Sequence, residues 1–177
     1  MQLDLSRNFF ELFGFSNDFV IDEKLLTVRF RELQGQLHPD KFVSGSDSER
    51  RWSMQAASVV NEAYQTLSDD LKRAAYLLQL NGISIDEETD TKMDPMFLMD
   101  QMELRESLEM AETAADPFTA IAGIRGQLRT TIDEQRANYT LAAQKGDWSD
   151  ARTITRQWQF LDKLIREAKA LEEKLDD

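Results

Sequence analysis

The chain contains a single histidine, His38, and it stands two residues before a carboxylate, Asp40, with Pro39 between them. An imidazole and a carboxylate this close can in principle trade protons as an acid–base pair. Enzymatic use would need further parts, and the sequence supplies no nucleophile motif, no phosphate-cradling glycine loop and no metal-ligating constellation. With no cysteine present, disulfides, thiolate metal sites and cysteine nucleophiles are excluded together. No catalytic residue, metal ligand or cofactor is therefore assigned, and the chain is not read as an enzyme. The tripeptide does offer rigidity. A proline-restricted turn that presents an imidazole and a carboxylate has little entropy left to lose on docking, which suits a recognition hook.

The elements that must hold this turn are two helices. The first of them begins at Asp22, a good N-cap, with Ile21 and Leu26 spaced as a hydrophobic staple. Leu26, Phe30, Leu33 and Leu37 then form one apolar stripe. Lys24 and Arg31 fall two turns apart on the opposite side, with Arg29 on the flank and Lys41 just beyond the turn, so an acidic protein carries a local cationic face here. Pro39 ends the helix, because its ring disfavours helical geometry at His38. Gly35 inside the helix costs roughly 1 kcal/mol relative to alanine, so close packing or a functional approach must account for it. After the polar stretch Ser44-Gly45-Ser46, a helix over Asp47–Leu67 places Trp52, Ala56, Val59, Ala63 and Leu67 on one side and pairs antiparallel with its predecessor. Short helices flank the pair. One over Ser6–Leu12 buries Phe9, Phe10 and Phe13 and stops at Gly14; the other, over Asp70–Leu80, buries Leu71, Ala75 and Leu78 and stops at Gly82.

The 177 residues include only seven glycines and three prolines, and apolar residues recur mostly at three- and four-residue spacing, which predicts an all-α fold. The acidic stretch from Ser84 to Met93 breaks the pattern and reads as a linker. The expected division is an N-terminal domain over 1–82, a linker over 83–94 and a C-terminal domain over 95–177. In the last of these, Asp94-Pro95 and Asp116-Pro117 each place a capping carboxylate before a proline, and Gly146-Asp147 makes a turn. Helices over Met96–Ala114, Phe118–Lys145 and Trp148–Leu175 make an up-down-up three-helix bundle, the last two with Ile121, Leu128, Ile132, Gln135 and Tyr139, and Ile154, Trp158, Leu161, Ile165 and Ala168, on their inner sides. The long helices beside a short first domain suggest an L-shaped molecule.

The first helix of the bundle has more apolar surface than a core needs. Phe97, Leu104, Leu108 and Ala111 share one face, while Leu98, Met99 and Met102 lie on the far side with Glu106 and, nearby, Glu103 and Met110. Methionine-rich surfaces adapt to varied apolar contacts and the glutamates can steer a basic partner, so the second face reads as a docking patch. The blander reading is that another part of the chain covers it.

For an arbitrary His-Pro-Asp, a helix stop followed by a capping carboxylate would be the plainer explanation. Here the tripeptide is followed by Val60-Asn61-Glu62-Ala63-Tyr64-Gln65-Thr66-Leu67 and Leu71-Lys72-Arg73-Ala74-Ala75-Tyr76, and over roughly the first 80 residues this order and spacing resembles the J domain. Phe97-Leu98-Met99-Asp100-Gln101-Met102-Glu103-Leu104-Arg105-Glu106, with Phe160-Leu161-Asp162-Lys163-Leu164, resembles the C-terminal domain of the HscB family, the J proteins of bacterial iron–sulfur cluster assembly. The resemblance implies a co-chaperone. On it, His38, Pro39, Asp40, Lys41, Lys24, Arg29 and Arg31 contact an HscA-type, DnaK-family ATPase and stimulate hydrolysis. Leu98, Met99, Met102, Glu103, Glu106 and Phe160 contact an IscU-type scaffold, with Met110 a weaker candidate. Where many J domains place more lysines and an aromatic residue before the tripeptide, this chain has Gln34-Gly35-Gln36-Leu37, a departure that a specialised ATPase would explain. A J protein serving a different client is the alternative.

Charge narrows the partners further. The chain carries 33 acidic residues against 21 Lys plus Arg, a net charge of −12, and duplex binding needs clustered cations, so nucleic acid is not expected. The excess is uneven, with 9 basic and 12 acidic residues up to Gly82 and 12 and 21 beyond it. Asp4, Arg7 and Glu11 interrupt the apolar residues of the opening segment, so neither a signal peptide nor a membrane span is expected, and the cytoplasm is the expected compartment.

Overall fold

The computed structural model describes residues 3–85 and 94–176, apart from the side chain of Pro39. It is all helical: α1 Phe9–Leu12, α2 Glu23–Gln36, a 3₁₀ turn Pro39–Phe42, α3 Asp47–Leu67, α4 Asp70–Leu80, α5 Pro95–Ala111, α6 Pro117–Lys145 and α7 Trp148–Asp176. Two compact units emerge, residues 1–77 and 78–177. The division falls inside α4, earlier than the Gly82 stop chosen from the sequence, and residues 86–93 of the expected linker lie outside the described residues.

In the first unit, α2 and α3 make the hairpin. Asp22 accepts from the Leu25 backbone at 2.9 Å to start α2, and Leu26 and Leu37 are buried. Phe30 stacks on Tyr64 with ring centroids 3.9 Å apart and planes 8° apart, locking α2 to α3 at mid-length. α3 starts in a capping box: the Ser46 backbone donates to Glu49 at 2.7 Å while the Ser46 hydroxyl accepts from the Glu49 backbone. Its buried side is Ser53, Ala56, Val60, Ala63 and Leu67, so Val60 is the core residue where Val59 was expected.

α1 is shorter than predicted. Asp4 folds back on Ser6, and the capping box of Asn8 with Glu11 sets the start at Phe9. Phe10 and Phe13 are buried, Phe9 stacks on Tyr76 at 4.5 Å, and the Phe9 backbone donates to the Tyr76 hydroxyl at 3.1 Å.

The main departure from the sequence reading is in α4, where Ala74, Leu77 and Leu78 are buried while Leu71 and Ala75 are only partly so. Arg73 turns the helix this way. It is buried, donates through Nε to the Phe19 carbonyl at 2.8 Å and through a terminal nitrogen to the Leu67 carbonyl, pairs with Asp70 at 2.5 Å, and lies 5.0 Å over the Phe19 ring. One guanidinium thus joins the segment before α2, the C-terminal carbonyls of α3 and the first turn of α4.

The second unit contains the three-helix bundle. Asp94 accepts from the Met96 backbone at 3.0 Å and Asp116 from the Thr119 backbone at 3.1 Å, each with proline as first helical residue. α5 ends at Ala111, short of Ala114, as Thr113 and Ala114 tighten into i−3 bonds. Gly146, at φ 69°, closes α6 in the left-handed conformation. The core joins Leu108 and Ala111 of α5, Ile121, Ile124 and Leu128 of α6 and Leu161, Leu164 and Ala168 of α7, with Leu104, Ile132 and Ile165 packed against it. Tyr139, Ile154 and Trp158 are also buried, and burial pushes the Tyr139 phenol well above its usual range. Ion pairs Arg105–Glu167 (3.5 Å) and Glu112–Lys174 (2.7 Å) tie α5 to α7, and Arg125–Glu172 ties α6 to α7. Among the described residues no helix is long and apolar enough to cross a membrane.

Candidate functional site

At the tip of the hairpin, α2 reaches Gln36, Leu37 caps it and anchors the backbone, and the chain turns at His38 with φ −57° and ψ 133°, the extended geometry that a following proline imposes. His38 Nδ1 accepts from the Asp40 backbone at 3.3 Å and lies 3.5 Å from Asp40 Oδ2, while the Lys41 backbone donates to the His38 carbonyl at 2.9 Å. In the neutral ring that Nδ1 contact leaves the proton on Nε2, a donor for an incoming group. The His38 side chain is 60% exposed and that of Asp40 84%. A solvated pair of this kind, on a turn braced by its own backbone bonds, is suited to being gripped rather than to proton chemistry in a water-free site.

The basic residues do not all join it. Lys24, Arg31 and Lys41 are exposed and make no ion pair among the described residues. Arg29 is committed elsewhere: its guanidinium donates to the Phe13 carbonyl at 2.5 Å and lies 4.9 Å over the Phe15 ring, holding the end of α1 against α2. Sequence position alone placed it on the cationic flank, because the acceptor that claims it lies 16 residues away.

Beside the turn, α2 and α3 enclose an open hollow of about 480 Å³, lined by Arg31, Gln34, Gly35 and His38 from one side and Val60 and Asn61 from the other. Gln34 donates to Asn61 at 3.5 Å across it.

In the second unit, Leu98, Met99, Met102 and Met110 of α5 are exposed, and so are Glu103 and Glu106 between them. Phe160 of α7, also exposed, meets Phe97 edge to face at 6.4 Å, which brings a residue of α7 beside α5. Met96, not singled out from the sequence, is exposed at the start of the same helix. At 100° per residue it falls beside Glu103 on the outer face, a placement that periodicity could have supplied.

An exposed His-Pro-Asp turn at the tip of an antiparallel helical hairpin is the feature expected of a J-type co-chaperone, and here a helical bundle follows it in the chain. A family model described as "HSCB C-terminal oligomerisation domain" matches residues 93–169. The co-chaperone protein HscB homolog of Aliivibrio fischeri is 41% identical over 168 residues, which is 95% of this chain and 98% of that protein. The solved structure of the chaperone HscB from Vibrio cholerae superposes with a TM-score of 0.86 at 39% identity, covering 96% of this chain and 99% of that one. Human co-chaperone HscB gives 0.88 at 31% identity, with 96% and 84% covered. The chain belongs to the HscB co-chaperone family.

Proposed function

We propose that this co-chaperone is an adaptor between an HscA-type ATPase and an IscU-type iron–sulfur scaffold, working in the cytoplasm. Residues 1–82 act as the J module, in which His38, Pro39 and Asp40, with Lys24, Arg31 and Lys41, engage the ATPase and speed hydrolysis. Arg29 serves that face indirectly, by fixing α1 to α2. Residues 95–177 hold the scaffold through Leu98, Met99, Met102 and Phe160, with Glu103 and Glu106 steering a basic rim, and residues 83–94 join the modules. The observation that carries the reading is the outer face of α5: three outward apolar side chains within five residues, Leu98, Met99 and Met102, that the bundle's own packing leaves exposed.

Holding both partners at once makes the encounter of client and ATPase intramolecular, so the effective concentration of client rises with no new contact. A titration of all three components tests this. Scaffold and co-chaperone together should raise the single-turnover ATPase rate beyond the product of their separate effects, and His38→Gln should remove the co-chaperone's share without altering scaffold affinity. Equal stimulation by the wild type and His38→Gln would refute the role given to the turn, and purely independent effects would refute bridging.

A further inference from the structure

Gly35 stands on the side of α2 that faces the proposed ATPase contact. At 100° per residue it lies within about 40° of Lys24 and Arg31, one turn beyond Arg31 and one before His38, and it lines the hollow together with Arg31 and His38. A Cβ built at Gly35 would meet no atom within 4 Å, and the residue has ordinary helical geometry, so neither packing nor backbone conformation demands glycine. Glycine in a helix interior is nonetheless unfavourable. Gly123 and Gly126 of α6 are equally open, so open space alone is not the argument. What distinguishes Gly35 is its place between the exposed guanidinium of Arg31 and the imidazole of the turn.

Building on the reading of the turn as an ATPase contact, we infer that Gly35 is a specificity-determining residue: its missing side chain lets a main-chain segment of the ATPase lie against α2. The occupant's chemistry follows from the walls. Arg31 calls for a carboxylate, the amides of Gln34 and Asn61 can bond peptide groups, and Val60 offers an apolar floor. A side chain at position 35 would project into that space and hold the segment away, weakening the complex while leaving the hook intact.

The test uses the full chain with the HscA-type ATPase of the same organism. Gly35→Ala and Gly35→Gln should fold with melting temperatures at or above the wild type, because both residues favour helix more than glycine. The co-chaperone concentration giving half-maximal stimulation should rise for both, about tenfold for glutamine, with the maximal rate unchanged. Wild-type half-maximal concentrations in both variants, with His38→Gln inactive, would overturn the inference while sparing the turn. Full stimulation by His38→Gln would overturn the turn's role and this inference with it. A lowered melting temperature would also overturn it, since glycine would then serve the fold.

Discussion

Replacing Leu98, Met99 and Met102 together with alanine separates docking from folding. In the unbound protein these side chains are 40%, 56% and 63% exposed. Fully burying a leucine or methionine is worth about 1.5–3 kcal/mol, so the fraction still open to water leaves about 1 kcal/mol for Leu98 and between about 1 and 2 kcal/mol for each methionine. Truncating all three should therefore weaken scaffold binding by at most about 3–5 kcal/mol, roughly a hundredfold to a few thousandfold in Kd. The bundle should barely notice, since its core runs through Leu104, Leu108 and Ala111 on the other side of α5. Isothermal titration with the IscU-type scaffold gives the affinity and far-UV circular dichroism the melting curve. A Kd within threefold of the wild type, with an unchanged melting curve, would refute the assignment of this face.

Arg73→Met removes the buried guanidinium and leaves the Phe19 and Leu67 carbonyls and Asp70 without this donor, so urea unfolding should show a loss of about 3 kcal/mol, and Arg73→Lys should recover little because it lacks the fork. Phe160→Ala should weaken scaffold binding and also lower the melting temperature slightly, since it undoes the contact with Phe97 that joins α7 to α5; loss of affinity with no change in melting would assign Phe160 to docking alone. Asp116 is held below the usual carboxylate range by the Thr119 hydroxyl and backbone. Its contribution is therefore complete above the unfolded pKa of 3.8 and lost as pH falls through the lower folded value. Asp116→Ala should lower the melting temperature at neutral pH, and the gap to the wild type should close in strong acid; a gap independent of pH would refute the capping role.

Helix ends were legible where a cap is local. Asp22, Ser46, Asp94-Pro95, Asp116-Pro117 and Gly146 each act within three or four residues of the boundary they set, so the sequence places those boundaries well. The turn was legible because Pro39 dictates its geometry, and the outer face of α5 because helical period alone divides Leu98 from Leu104. Long-range demands were not. Arg73 and Arg29 look like surface cations in sequence, yet their acceptors lie 54 and 16 residues away in segments that no periodicity connects to them. With Arg73 turned inward, the buried side of α4 is Ala74, Leu77 and Leu78. The Phe97–Phe160 contact was hidden for the same reason, each residue reading only as part of its own helix.

The acidity of the tail half also acquires a location. Glu103, Glu106 and Glu109 are exposed on α5 beside its outward apolar residues. An apolar strip without charge would favour association with its own copies, whereas like charges around it oppose that pairing at close range. The same carboxylates favour a partner with a basic rim around an apolar centre, which on the proposed reading is the client. Neutralising Glu103 and Glu106 to glutamine should then slow scaffold association and flatten its salt dependence, while leaving the apolar contacts that govern dissociation in place. Stopped-flow association at low and high salt distinguishes the two effects; an unchanged on-rate together with a faster off-rate would show that the glutamates make close contacts instead of steering.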